Sequence, residues 1–142
     1  MSRKSKRVAE MVADHHGQKL NPHYLGYFEC FNRQLFYEAH EVLEHLWLKD
    51  KHGPNGAFYK GLIQLAGAFV HVQKGRPQPA VALLKLTLAN LEKYPPVHEH
   101  LSVETTCKLA RKWLEELEQG RWGAHPLTGR HSPELKLERD GS

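Results

Sequence analysis

Leu35-Phe36-Tyr37-Glu38-Ala39-His40-Glu41-Val42-Leu43-Glu44-His45-Leu46-Trp47 is the stretch on which the reading of this chain turns. It contains neither glycine nor proline, and its apolar residues return every three or four positions. At 100° per residue that spacing gathers them on one side of an α-helix. Leu35, Ala39, Val42, Leu43 and Leu46 form the packing face, while Glu38, His40, Glu41, Glu44 and His45 share the opposite arc with Tyr37 and Leu48. The spacing predicts a helix over 35–48.

Moving outward, Gly53, Pro54 and Gly56 mark 49–56 as a loop. Phe58, Leu62, Leu65, Phe69 and Val72 then recur at helical spacing, which predicts a helix over 58–74 stopped by Gly75. Pro77 and Pro79 suit the first turn of a fourth helix, where the missing N–H costs nothing. It runs through Leu83, Leu84, Leu88 and Leu91 to Tyr94-Pro95-Pro96. Ser102, three residues before Thr105, is an N-cap for a fifth helix ending near Glu118. Upstream, a helix over 24–31 follows Asn21-Pro22 and turns at Asn32-Arg33-Gln34, and 3–16 reads as a short basic helix ended by Gly17.

An echo at an offset of 41 residues aligns Phe28, Ala39, Val42 and Leu43 with Phe69, Ala80, Leu83 and Leu84. It agrees with two stacked helical hairpins. The expected fold is all-α, a small bundle of about five helices built from stacked antiparallel hairpins. Its domain covers 21–119, between a basic arm over 1–20 and a flexible C-terminal tail over 120–142 in which Trp122 is a candidate for docking.

A chain of 142 residues is long enough to bury one continuous core without disulfide or metal staples. The net charge of +4 suggests nucleic acid until it is located. Arg3, Lys4, Lys6 and Arg7 carry all of the excess, and the 16 other basic residues balance the 16 acidic ones, so the body presents no basic face. Nucleic acid is therefore not the expected partner, although the arm itself suits an anionic surface. Cys30 and Cys107 have no paired spacing, which argues against a zinc ribbon or a disulfide framework and points to a reduced cytoplasm. The longest apolar stretch, Gly61 to Val72, contains Gln64 and His71, and neither a signal core nor a membrane span is expected.

Chemistry concentrates on the polar arc of the second helix. His40 with Glu44 and Glu41 with His45 are spaced i to i+4 and project side by side, an arrangement that holds a divalent metal or passes a proton. The metalloprotease pattern H-E-x-x-H is broken by Glu44 where its second histidine belongs, and the di-iron pattern Glu-x-x-His fails because Glu38 and Glu41 are followed by Glu41 and Glu44. On the third helix Gln64 and His71 nearly superpose, with Lys60, Gly67 and Ala68 close by. Small residues there admit a neighbouring backbone or leave room for a ligand. If this stripe faces the arc, His40, Glu41, Glu44, Gln64 and His71 line one cleft.

The competing reading is structural. An arc of Glu and His on an amphipathic helix is ordinarily its solvated side, with each i to i+4 pair contributing about 0.2–0.5 kcal/mol. Gln64 and His71 are then satisfied polar residues on a partly buried helix, Cys30 and Cys107 small buried hydrophobes, and Trp47, Trp113, Phe58 and Phe69 core aromatics. Neither a Ser/His/Asp arrangement nor a glycine-rich phosphate loop is present in the sequence.

Phe31-Asn32, the run Leu35 to Glu44 and Trp47, followed by the run Phe58 to Ala66 with His71 and Gly75, and by the alanine and leucine pattern from Ala80 to Leu91, resemble a bacterial and archaeal family known as domain of unknown function 309. The resemblance covers about residues 24–118. It implies an all-helical bundle of about five helices, and it brings the label of predicted metal-dependent hydrolase that many members carry. The family's recurrent polar positions fall on Glu38, His40, Glu41, Glu44, Gln64 and His71. His45, Lys60 and Arg76 depart from the commoner family choices, which leaves His45 outside the core site. On this reading zinc, manganese or iron is bound by His40, Glu44 and His71, Glu41 or Glu38 is the base that takes a proton from water, and Gln64 orients substrate or a second-shell water. The alternative is a noncatalytic helical scaffold that binds a partner protein or a second copy of itself. The ligand is accordingly an unidentified small molecule or a protein.

Overall fold

The computed structural model describes residues 20–120, Leu127 and 132–138. The expected helix over 3–16 and Trp122 lie outside these residues. Five helices occur among them: α1 (Pro22–Asn32), α2 (Phe36–Asp50), α3 (Gly56–Gln73), α4 (Pro77–Leu91) and α5 (Val103–Glu118). Between α4 and α5 a two-stranded antiparallel ribbon pairs β1 (Val97–His98) with β2 (Leu101–Ser102), Val97 opposite Ser102 and His98 opposite Leu101. The chain is an all-α bundle with this one small ribbon, which the sequence reading had passed over as a connection.

The boundaries follow local chemistry. The Asn21 side chain accepts from the N–H of His23 at 2.8 Å, and Pro22 opens α1. Ser102 caps α5 by accepting from the Thr105 N–H at 3.1 Å. Gly75 sits at φ 67°, the left-handed conformation that ends a helix and that only glycine adopts without steric cost. Gln34 holds the same conformation, at φ 61°, between α1 and α2.

Successive helices are antiparallel neighbours. Leu91 and Asn90 of α4 approach Gly61 of α3, and Leu83 approaches Gly67, so one helix rises as the other falls. Lys85 pairs with Glu118 at 3.6 Å and Arg111 with Glu92 at 3.0 Å, which gives α4 and α5 the same relation. Helix α3 is the centre. Tyr27 of α1 donates its buried hydroxyl to the Leu62 carbonyl at 2.6 Å, Phe31 and Phe36 pack their rings on Phe69, and Trp113 of α5 meets Phe69 edge-on at 5.1 Å. An apolar helix buried on nearly all sides is what the near-continuous run from Phe58 to Val72 requires. The echoed positions share this fate: Phe28, Ala39 and Leu43, like Phe69, Ala80 and Leu84, are all in the core.

Two assignments within α2 change. Phe36, left off the expected packing face, is buried because α2 begins there and its ring fits between Phe31 and Phe69. Trp47, expected in the core, is only partly buried at its edge, with the Lys60 ammonium 4.4 Å above its ring.

The stretch past Gly120 is not a free tail where it is described. Leu127 and Leu135 are buried, and Leu137 forms an isolated antiparallel bridge to Leu101 of β2. Its partners, Asn32, Gln34 and β2, are remote in sequence, so no local signal announces the docking.

Candidate functional site

Helix α2 carries the Glu/His arc as its sequence requires. Glu38, His40, Glu41 and Glu44 are partly exposed and His45 is exposed. His40 Nε2 lies 3.3 Å from Glu44 Oε2, with the two side chains 33% and 45% exposed, so this i to i+4 pair is a surface pair. Tyr37 packs its ring 5.9 Å from that of His40. His45 stacks on His23 of α1, ring centroids 4.3 Å apart and planes 11° from parallel.

On helix α3, Gln64 is partly buried and bonds the neighbouring helix α4. Gln64 Oε1 accepts from Asn90 Nδ2 of α4 at 2.8 Å, and Lys93 Nζ donates to Asn90 Oδ1 at 3.3 Å. A Cβ built on Gly61 would lie 2.9 Å from Leu91 Cδ2, and one on Gly67 would lie 3.2 Å from Leu83 Cδ1. The small-residue stripe therefore admits a neighbouring helix. His71 lies at the last turn of α3. Burial, then the Arg76 and Lys74 charges, push its imidazole below the ordinary histidine value. Among the described residues no three His, Cys, Asp or Glu side chains form a group that would hold a metal ion, so His40, Glu44 and His71 do not come together as one ligand set.

Two atoms nevertheless lack partners. Nδ1 of His40 and Nδ1 of His71 are both buried without a hydrogen bond. In the neutral ring such a nitrogen is an acceptor or a donor according to the tautomer, and it is the atom a ligand or water would engage.

The denser constellation is one that sequence spacing missed. The loop between α2 and α3 meets the β1–β2 turn, and six residues from four segments interlock there. His98 Nε2 donates to Asn55 Oδ1 at 2.7 Å; Asn55 Nδ2 donates to Tyr59 Oη at 3.4 Å and Glu99 Oε1 at 3.3 Å. The Tyr24 hydroxyl donates to the Glu99 carbonyl at 2.7 Å. Tyr94 accepts from the Phe58 N–H at 2.9 Å and donates to the Pro54 carbonyl at 2.8 Å. The His98 ring lies 4.8 Å from both Phe58 and Tyr94.

Burial, followed by the Glu99 charge, raises the Tyr24 phenol well above its ordinary value. Burial is also the main cause that raises Tyr59, with Glu99 and Asp50 adding to it against the lowering effect of the Asn55 hydrogen bond. Both phenols are therefore neutral at physiological pH, Tyr24 donating to the Glu99 carbonyl and Tyr59 accepting from Asn55. The network locks the ribbon to the loop through bonds among its own members and, at Tyr94, to the Phe58 and Pro54 backbone. Tyr94 followed by two prolines, and Asn55 placed just before an apolar helix, were the signals available in sequence. Neither Cys30 nor Cys107 is paired in a disulfide; both are buried, and burial, the leading cause, raises the Cys107 thiol, so it is not a thiolate nucleophile.

Comparison with known proteins agrees with the two signatures. Residues 24–83, which form most of α1, all of α2 and α3 and the opening of α4, match the family described as Domain of unknown function (DUF309). An uncharacterized protein of Aquifex aeolicus (strain VF5) is 35% identical over 66 residues, 46% of this chain and 20% of that protein, so the chain spans about a fifth of that relative. No solved structure matches.

Proposed function

We propose that the chain is a helical protein-interaction module in which the family's Glu/His/Gln positions serve the fold and its surface. The observation that carries this reading is the Gln64–Asn90 hydrogen bond at 2.8 Å. It places the second signature's polar side chain between α3 and α4, beside glycines whose space Leu83 and Leu91 take up. The first signature supplies a surface pair, His40–Glu44, of a kind that contributes a few tenths of a kcal/mol, about 0.2–0.5. The bundle then offers helix faces to a partner protein or to a second copy of itself.

The test is metal content and thermal stability of protein purified without chelator, beside a His40→Ala/Glu44→Ala double variant, each with and without added zinc, manganese or iron. The expected result is no stoichiometric metal and no metal-dependent rise in Tm. Stoichiometric metal, or a rise in Tm lost in the double variant, would overturn the reading.

The unpartnered Nδ1 atoms of His40 and His71 favour a second reading, the metal-dependent hydrolase. Two imidazoles and a carboxylate suit zinc, manganese or iron, which would supply a polarised water, with Glu41 or Glu38 placed to take its proton and Gln64 to orient it. The arrangement as it stands does not fit that role. The three ligands are not one group, His71 lies among cations, and Gln64 is held by Asn90.

A further inference from the structure

The C-terminal segment lies in a groove that has the features of a peptide-binding site. Along Pro133-Glu134-Leu135-Lys136-Leu137-Glu138 burial alternates: Pro133 and Leu135 are buried, Leu137 is partly buried, and Glu134, Lys136 and Glu138 are exposed. That period of two is an extended strand with one apolar edge. The groove reads its backbone more than its side chains. Asn32 grips Leu135 from both sides, its Nδ2 donating to the Leu135 carbonyl and its Oδ1 accepting from the Leu135 N–H, each at 2.8 Å. Glu138 donates its N–H to the His100 carbonyl at 2.6 Å, and Leu137 bridges Leu101. Gln34 Nε2 donates to the Leu127 carbonyl at 2.7 Å and to Ser132 Oγ at 2.8 Å. Main-chain pairing at a strand edge with pockets for alternate side chains is the way extended peptides are recognised.

One further observation separates this groove from ordinary core: the segment leaves it incompletely filled. Two clefts of about 320 Å³ each flank it along α5. One lies beside Lys112, Trp113 and Pro133, the other beside Leu101, Leu135 and Leu137, and Thr105 lines both.

We infer that the groove formed by Asn32, Gln34, β2 and α5 is a binding site for an extended peptide of another protein with apolar residues at every second position, and that residues 133–138 occupy it in cis as a built-in competitor. The docked segment is the template for the partner's chemistry, and the open clefts accommodate apolar residues larger than its own proline and leucines. The groove lies largely outside the family-matched segment, to which only Asn32 and Gln34 belong. A tethered competitor acts at an effective concentration in the millimolar range, so the site is closed to weak ligands until the segment is displaced.

The experiment uses the full chain and a fluorescein-labelled synthetic peptide of residues 130–139, with binding read by fluorescence anisotropy. A Leu135→Asp/Leu137→Asp variant, which releases the cis segment, is expected to bind the peptide at least tenfold more tightly than the wild-type chain. Adding Asn32→Ala to that variant is expected to weaken binding at least tenfold again. Should circular dichroism show the double variant unfolded, Leu137→Ala alters only a partly buried residue and is expected to raise affinity severalfold.

Equal binding by wild-type and released chains, or no binding by a folded released chain, overturns the inference. So does a concentration-dependent dimer formed in place of peptide binding, which would assign the groove to exchange of the segment between two copies. The inference rests on the module reading only in treating the chain as a binder. Failure of the peptide assay in metal-free protein leaves that reading to another surface, whereas a metal bound through His40 and Glu44 defeats it and leaves the groove standing.

Discussion

The polar arc of α2 and the polar corner beneath the β1–β2 turn contain the same kinds of side chain, yet they are built in opposite ways. In the arc, Glu38, His40, Glu41 and Glu44 are neighbours in sequence and neighbours on one helix face, where the paired groups stay partly in water and hydrogen-bond little beyond the next turn. In the corner, Tyr24, Asn55, Tyr59, His98 and Glu99 come from distant segments and are joined to one another by hydrogen bonds, while Tyr94 packs its ring on His98 and bonds the backbone at Phe58 and Pro54. The arc stands out in a sequence and contributes little to stability. The corner leaves only scattered signals in a sequence and holds two loops together, because a hydrogen bond withdrawn from water is worth more than a solvated pair.

That contrast is open to test. The largest effect is expected for Tyr94→Ala, which removes a ring packed on Phe58 and His98 together with both bonds of its hydroxyl; urea unfolding should show a loss of about 3 kcal/mol. Asn55→Ala leaves His98, Glu99 and Tyr59 without their common partner and should cost about 1–2 kcal/mol by the same measurement. His40→Ala and Glu44→Ala, made singly, should each stay within about 0.5 kcal/mol of wild type. A loss above about 2 kcal/mol in either would erase the distinction between arc and corner.

The smallest effect concerns pH. The folded state holds the His71 pKa below its ordinary value of 6.5, so below that value the unfolded chain binds more protons than the folded one. This contribution is present above the ordinary histidine range and is lost as pH falls through it. Tm should therefore decline from about pH 7.5 to about pH 5, and the decline should be smaller in His71→Gln. An identical decline in both proteins would show that other groups govern acid stability.

Much of the bundle was legible because helices advertise themselves locally. The run from Phe58 to Val72 repeats its apolar residues often enough to specify a central helix, Ser102 and Gly75 mark ends through their own backbone chemistry, and the 41-residue echo agrees with two hairpins in which three of the four corresponding pairs are buried alike. The arc of α2 was legible for the same reason, since i to i+4 spacing on one helix implies adjacency whatever the rest of the chain does. Which neighbour Gln64 faces was not legible. A residue on a helix packed on several sides has several candidate partners, and Asn90 was selected only when Leu91 and Leu83 closed against Gly61 and Gly67. Phe36, which the spacing left unassigned, entered the core and Trp47, expected there, stayed at its edge, because the contacts of Phe36 with Phe31 and Phe69 are tertiary.

The sequence by itself determined the helices, their order, the apolar faces that bring them together and the polar arc of α2, because each of these depends on residues no more than a few turns apart. Only the tertiary structure decided that Gln64 serves a helix interface, that six residues from Tyr24 to Glu99 make one corner, and that the stretch ending at Glu138 lies in a groove between Asn32 and Leu101. Those outcomes depend on pairs separated by up to about a hundred positions. Their energy is that of hydrogen bonds and contacts formed only after the bundle has excluded water, and no local pattern of residues encodes it.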